Sequence, residues 1–95
     1  MDNVSEKPIK HRPNIFFIDL GPGKKAYIRY SIDDKTMVIE STFTPEEYRG
    51  KGLAAKIIER AIEFAKEEKL KIRPLCSYSV RFFKQHPENA DLLVE

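Results

Sequence analysis

Thr44-Pro45-Glu46-Glu47-Tyr48-Arg49-Gly50-Lys51-Gly52-Leu53-Ala54-Ala55-Lys56 stands between an apolar, strand-like run and the one long amphipathic pattern of the chain. Thr44, Pro45 and Glu47 fall at the N-cap, N1 and N3 positions of a capping box. A single helix from Pro45 to Lys69 would place Gly50 and Gly52 in its interior. Each would then cost about 1 kcal/mol relative to alanine. A turn over 45–48, a loop, and a fresh helix start near Gly52 fit better. From Ala54, the residues Ile57, Ile58, Ala61, Ile62 and Ala65 follow helical spacing without a miss, with Leu53 and Phe64 widening the stripe. A helix N-terminus exposes unpaired N–H groups and a partial positive charge, which suits an anion. Arg49, Lys51 and Lys56 add charge there. The same spacing also serves a plain tight turn with solvated basic residues, and spacing alone does not choose between the two.

Upstream, three strands are expected, over 14–20, 26–32 and 36–43. Gly21-Pro22-Gly23 and Asp33-Asp34-Lys35 supply tight turns, so the strands form an antiparallel meander. Alternation puts Ala26, Ile28, Tyr30 and Ile32 on one face. In the third strand it sets Met37, Ile39, Ser41 and Phe43 against Val38, Glu40 and Thr42. Gly21-Pro22-Gly23-Lys24 is not a P-loop, since a strand rather than a helix follows it. Residues 1–13 are polar, hold Pro8 and Pro13, and read as a mobile lead-in to one domain over 14–95. Downstream, 70–76 reads as a fourth strand interrupted by Pro74, which implies an edge or the end of pairing. Strand, helix and strand then form a right-handed β-α-β unit with a parallel pair. A short helix over 78–85, with Val80, Phe82 and Phe83 as its apolar residues, ends at His86-Pro87. The tail 91–95 packs back on the body. The fold class is α+β.

The 95 residues make one small domain, with 41% hydrophobic and 34% charged residues and a net charge of +2. No run of 18 apolar residues and no apolar leader are present, so neither a membrane span nor a secretory signal is expected. Cys76 is the only cysteine, which excludes an internal disulfide and a thiolate zinc cluster and fits a reduced, cytoplasmic protein. The even balance of acids and bases argues against a nucleic-acid partner, as does the lack of aromatics interleaved with the basic residues along the chain.

Arg49-x-x-Gly52-x-Ala54, opening an amphipathic helix after an apolar strand, resembles the Gln/Arg-x-x-Gly-x-Gly/Ala motif of the GNAT superfamily of acyl-CoA-dependent N-acetyltransferases. Leu75-Cys76-Ser77-Tyr78 and His86-Pro87-Glu88 are similar to the Cys-Ser/Pro-aromatic triplet and His-Pro-Glu of very small single-domain members. The resemblance spans roughly residues 14–93. It implies a compact GNAT-like fold, acetyl-CoA as donor, and an amine acceptor of unknown identity, either a small molecule or a protein lysine or N-terminus. The N–H groups of Gly50, Lys51, Gly52, Leu53 and Ala54, beside Arg49, would hold the coenzyme A pyrophosphate. Phe43 and Thr44 would lie along the pantetheine in a splay between the third and fourth strands, with Phe83 completing the cofactor set. Catalysis would then require a base for the amine and an acid for the thiolate. Larger members often use a tyrosine on the last helix, where this chain offers Phe82 and Phe83, with Tyr78 at the helix start. Cys76 is the other candidate, as acyl carrier or acid, against its reading as a small buried hydrophobe. Many small relatives carry a histidine where this chain has Ser41. Alternation sends Glu40 and Ser41 to opposite faces, and His11 lies in the lead-in while His86 is placed to cap a helix end. An acyl-CoA-binding module without catalysis is the alternative reading. A small nucleic-acid-binding domain is the remoter one.

Overall fold

The structure is a computed structural model and describes residues 6–94. The expected lead-in therefore lies outside the described residues over 1–5, as does Glu95 at the tail. Five strands form one sheet in the order β1-β2-β3-β4-β5: β1 is Lys10–Arg12, β2 Ile15–Gly21, β3 Lys24–Asp33, β4 Thr36–Phe43 and β5 Lys71–Pro74. The first four are joined antiparallel, and β5 lies parallel to β4. Helix α1 (Leu53–Glu67) makes the crossover between them, and α2 (Ser77–Gln85) follows β5. The meander, the β-α-β unit and the short C-terminal helix all form as the pattern predicts. Part of the lead-in does not behave as expected. Lys10–Arg12 is too polar to read as a strand, yet it pairs with Arg12 opposite Ile15 and Lys10 opposite Phe17. Asn14 makes the connection, at φ 72°, and its Nδ2 donates to the Tyr30 carbonyl at 3.1 Å.

The core lies on one face of the sheet. Leu53, Ile57, Ile58, Ala61, Ile62 and Ala65 of α1 are buried against Phe16, Ile18, Ile28, Met37 and Ile39. Phe82 and Phe83 of α2 join the same cluster. Each large aliphatic side chain so buried contributes about 1.5–3 kcal/mol. The alanines let α1 lie close to the strands. Two expected placements fail at the sheet's ends. Ile32 is 47% exposed, because β3 there runs beyond the cover of the helices. Thr44 does not cap a helix: a 3-10 turn, Glu46–Tyr48, starts after Pro45 with no side-chain cap, and α1 begins separately at Leu53 with Gly52 at its cap.

The departure that matters for function is a β-bulge in β4. Tyr30 pairs with Ile39 but Arg29 pairs with Ser41, leaving Glu40 as the extra residue. Beyond it the faces exchange. Thr42 pairs with the buried Ile28 and turns to the core side, while Ser41 and Phe43 turn to the other face. Ser31 Oγ donates to Glu40 Oε2 at 2.8 Å, so Glu40 lies on that other face too. Glu40 and Ser41 thus share a face, against the simple alternation. Pairing of β4 with β5 stops at Ile39 and Pro74, followed by a last bond from the Leu75 N–H to the Ile39 carbonyl at 2.9 Å. The end of β4 is left without a strand beside it on the β5 side.

Candidate functional site

Where β4 and β5 part, a cavity of about 670 Å³ opens. Thr42 and Thr44 line it from the end of β4, Tyr48, Arg49 and Gly50 from the turn, Gly52, Leu53 and Ala54 from the start of α1, and Ser77, Tyr78 and Arg81 from the first turns of α2. Its volume falls in the roughly 300–1,000 Å³ range of small-molecule sites. Two helices begin at this cavity, so two partial positive charges converge on it, joined by the guanidinium groups of Arg49 and Arg81. No carboxylate lines it. The arrangement suits an anionic ligand.

The start of α1 is bare. Gly50 and Gly52 sit at φ 82° and 76°, and a Cβ at either would meet nothing within 4 Å. Glycine is needed there for backbone conformation, and the space beside it stays open to a ligand. Gly52 makes no side-chain cap, and the first intrahelical bond runs from the Lys56 N–H to the Gly52 carbonyl at 3.1 Å. The N–H groups of Leu53 and Ala54 precede that bond and have no acceptor in the helix. Around them the turn is braced. Arg49 Nε donates to the Thr44 carbonyl at 3.0 Å, Tyr48 donates its hydroxyl to the Leu20 carbonyl at 3.3 Å, and Lys24 pairs with Glu47.

The start of α2 is capped by Cys76. Its Sγ accepts from the Ser79 N–H at 3.4 Å and lies 3.0 Å from Thr42 Oγ1 and 3.1 Å from Ser79 Oγ. Burial pushes the thiol up, but the Ser79 and Thr42 hydroxyls and the Ser79 and Tyr78 N–H groups outweigh it, and the net displacement is downward. Cys76 is half-buried behind Thr42, one residue from the cavity wall at Ser77. Burial raises the Tyr78 hydroxyl, opposed by nearby Arg81 and helped by Glu59, so it stays protonated at neutral pH and can donate.

Of the residues singled out from sequence, Thr44, Arg49, Gly50, Gly52, Leu53, Ala54 and Tyr78 meet at the cavity. Cys76 stands behind that wall rather than in it, and three more do not line it. Lys51 points outward and is exposed. Phe43 is turned away by the bulge, 43% exposed and tilted against Tyr27 at 5.5 Å between ring centroids. Phe83 is 4% exposed and belongs to the core. Four wall residues were not anticipated: Thr42, Tyr48, Ser77 and Arg81. Helical spacing could have found Arg81, which lies three and four residues from Tyr78 and Ser77. Nothing local announces Thr42, since the bulge turns it inward. The remaining imidazoles serve elsewhere. His86 Nδ1 donates to the Phe82 carbonyl at 2.9 Å and closes α2. His11 stacks on Phe16 at 3.9 Å and lies 2.6 Å from the Tyr30 hydroxyl, at the edge of the sheet opposite β5.

Residues 15–92 match the model of the GCN5-related N-acetyl-transferase family. Among curated proteins, the chain is 35% identical to protein NATD1 of Danio rerio over 68 residues, 70% of this chain and 62% of that one. It is 33% identical to protein NATD1 of Homo sapiens over 64 residues, 66% of this chain and 57% of that one. It thus spans about three fifths of the length of these relatives. Its fold matches the solution structure of a GCN5-like protein from Staphylococcus aureus with a TM-score of 0.77 and 28% identity, over 99% of this chain and 91% of that one.

Proposed function

This chain belongs to the GCN5-related N-acetyltransferase family, and from that membership and the character of its cavity we propose that it transfers an acetyl group from acetyl-CoA to an amine. The observation that carries the reading is the bare start of α1 beside Arg49 and Arg81, in a cavity that no carboxylate lines. Acetyl-CoA, when bound, supplies an acetyl group as a thioester carbonyl open to attack. The chain's own residues do the rest. The N–H groups from Gly50 to Ala54 take the pyrophosphate, and Arg49 and Arg81 neutralise further phosphate charge. The end of β4 at Thr42 and Thr44, which has no strand beside it on the β5 side, receives the amide-bearing arm. Tyr78 is the proton donor we assign to the leaving thiolate, since its hydroxyl lines the cavity and stays protonated. Cys76 orients this corner through Thr42 and caps α2. The acceptor is an amine on a small molecule or a protein. No helix among the described residues is long and apolar enough to cross a membrane. A cytoplasmic location agrees with a single unpaired thiol.

A second reading, an acyl-CoA-binding module without transfer, draws on one fact: no His, Asp or Glu lines the cavity to take the amine's proton. Two measurements separate the readings. Coenzyme A at about 100 times its Kd stabilises the fold by about 2.7 kcal/mol if the cavity binds it. No thermal shift at millimolar coenzyme A rules out both readings. Release of coenzyme A from acetyl-CoA with a panel of amines, reduced in Tyr78→Phe, supports transfer. Binding without release for any amine supports the module.

A further inference from the structure

We infer that the helix-free face of the sheet is a docking surface for single-stranded nucleic acid. Among the described residues, the buried apolar side chains of α1 and α2 all join the cluster on the Phe16, Ile28 and Ile39 face. Phe17 and Val38 are buried on the opposite face, outside that cluster. Strand register orders this face in rows. One row runs Lys10, Phe17, Tyr27, Phe43, and the next runs Arg12, Ile15, Arg29, Ser41. Lys25 and Asp19 pair above the first row, and Arg73 pairs with Val38 below the second.

An aromatic row therefore lies among cations. Lys25 Nζ sits 4.7 Å from the Phe17 centroid and Arg29 5.1 Å from that of Tyr27, while Phe43 lies tilted against Tyr27 and stays 43% exposed. The face carries Lys10, Arg12, Lys25, Arg29 and Arg73 against Asp19 and Glu40, and the outermost row, Asp33, Thr36 and Lys71, leaves that excess unchanged. Lys10 Nζ lies 2.9 Å from the Asp19 carboxylate, which is held below its usual range first by this hydrogen bond, then by the charges of Lys10, Lys25 and Arg12. The whole-chain charge of +2 hides this, because it averages over both faces. So does the linear sequence, because aromatic and basic residues alternate across strands rather than along them.

The occupant follows from the chemistry. A second copy would set like charge against like. An acidic peptide would answer the cations but make no use of the exposed Phe43 and the half-buried Tyr27 beside it. A single strand uses both, with bases on the rings and phosphates on the flanking cations.

The test is fluorescence anisotropy of a labelled twelve-nucleotide single strand titrated with the full chain. Binding on the order of 10–100 μM near physiological salt is expected, weakening as salt rises with a log–log slope of roughly −2 to −3. Arg29→Glu should weaken it at least tenfold, Arg29→Lys much less, and Tyr27→Ala about tenfold. Each variant's cooperative thermal transition shows that the fold is kept. No anisotropy change at 200 μM protein and about 50 mM salt overturns the proposal. Equal competition by polyglutamate overturns it in favour of an acidic polypeptide. Displacement by free coenzyme A overturns it by moving the strand into the cavity. Unchanged binding in Tyr27→Ala overturns the part assigned to the aromatic row.

Discussion

The two helices that begin at the cavity start in opposite ways. At α1 the cap position is a glycine with no side chain to offer, and its first N–H groups stay open. At α2 the cap position is Cys76, whose sulfur satisfies the Ser79 N–H and contacts Thr42. One start spends stability to keep donors for a ligand. The other spends its donors on holding the wall together. The same local motif, a strand running into a helix, thus makes a binding element in one place and a brace in the other, and the side chain at one residue decides which.

The contrast can be broken from the α1 side first. Gly52→Val places a β-branched residue at φ 76° and costs on the order of 1–2 kcal/mol or more in stability. It should also lower coenzyme A affinity by about 10–100-fold, as backbone bonds to a charged group are lost. Calorimetric titration together with thermal unfolding measures both. Unchanged affinity would remove α1 from the binding site. Arg81→Gln tests the contribution of α2 to the same charge. Affinity should fall about tenfold with little change in unfolding midpoint, and an equal loss of stability would make Arg81 structural. Cys76→Ala removes the brace. The expected loss is about 1 kcal/mol in denaturant unfolding, as for other caps, with Cys76→Ser recovering most of it. If Cys76→Ser keeps the fold yet abolishes acetyl transfer, the thiol takes part in the chemistry.

The smallest effect is a pH dependence. The folded Cys76 thiol lies below its ordinary 9.0, so the thiolate is favoured in the native state. Its contribution is full above the unfolded value and is lost as pH falls through the lower folded one. The stability of the native chain relative to Cys76→Ser should therefore be greater at pH 9.5 than at pH 7. A difference of opposite sign would show that burial outweighs the hydrogen bonds.

What could be read from the chain and what could not divide along the range of the interactions. The α1 stripe from Leu53 to Ala65 is local, with each buried side chain three or four residues from the next, and it was legible. So were the hairpin turns and the split between the turn at 45–48 and the helix start at Gly52. Both depend on glycine and proline at fixed positions. The bulge at Glu40 depends on Tyr30 facing Ile39 while Arg29 faces Ser41, and that register is set across the hairpin rather than by Glu40 itself. Its absence from the sequence reading misplaced Ser41, Thr42 and Phe43 together. The strand Lys10–Arg12 was missed for a related reason, since its residues have no strand preference and are held by the backbone of β2. At the site, the α1 half was legible through its glycines. The α2 half was only partly so, because Phe83 faces inward and Arg81 faces the cavity, and only the docked orientation of a nine-residue helix tells them apart.

Glu40 acts on β4 as an inserted letter acts on a reading frame. Upstream of it, every second residue is spelled into the core; downstream, the parity is reversed, so Thr42 reaches Cys76 and the strand no longer runs in step with its neighbour. Deleting that one residue would remove the bulge and keep the pairs on either side of it, so Met37, Ile39 and Thr42 would stay on the core side and Ser41 and Phe43 on the other. The inserted letter thus alters the spacing of the message and not its sense: a chain shortened by that codon should fold with the same side chains facing the core, but without the local bend that the extra residue puts into the end of β4.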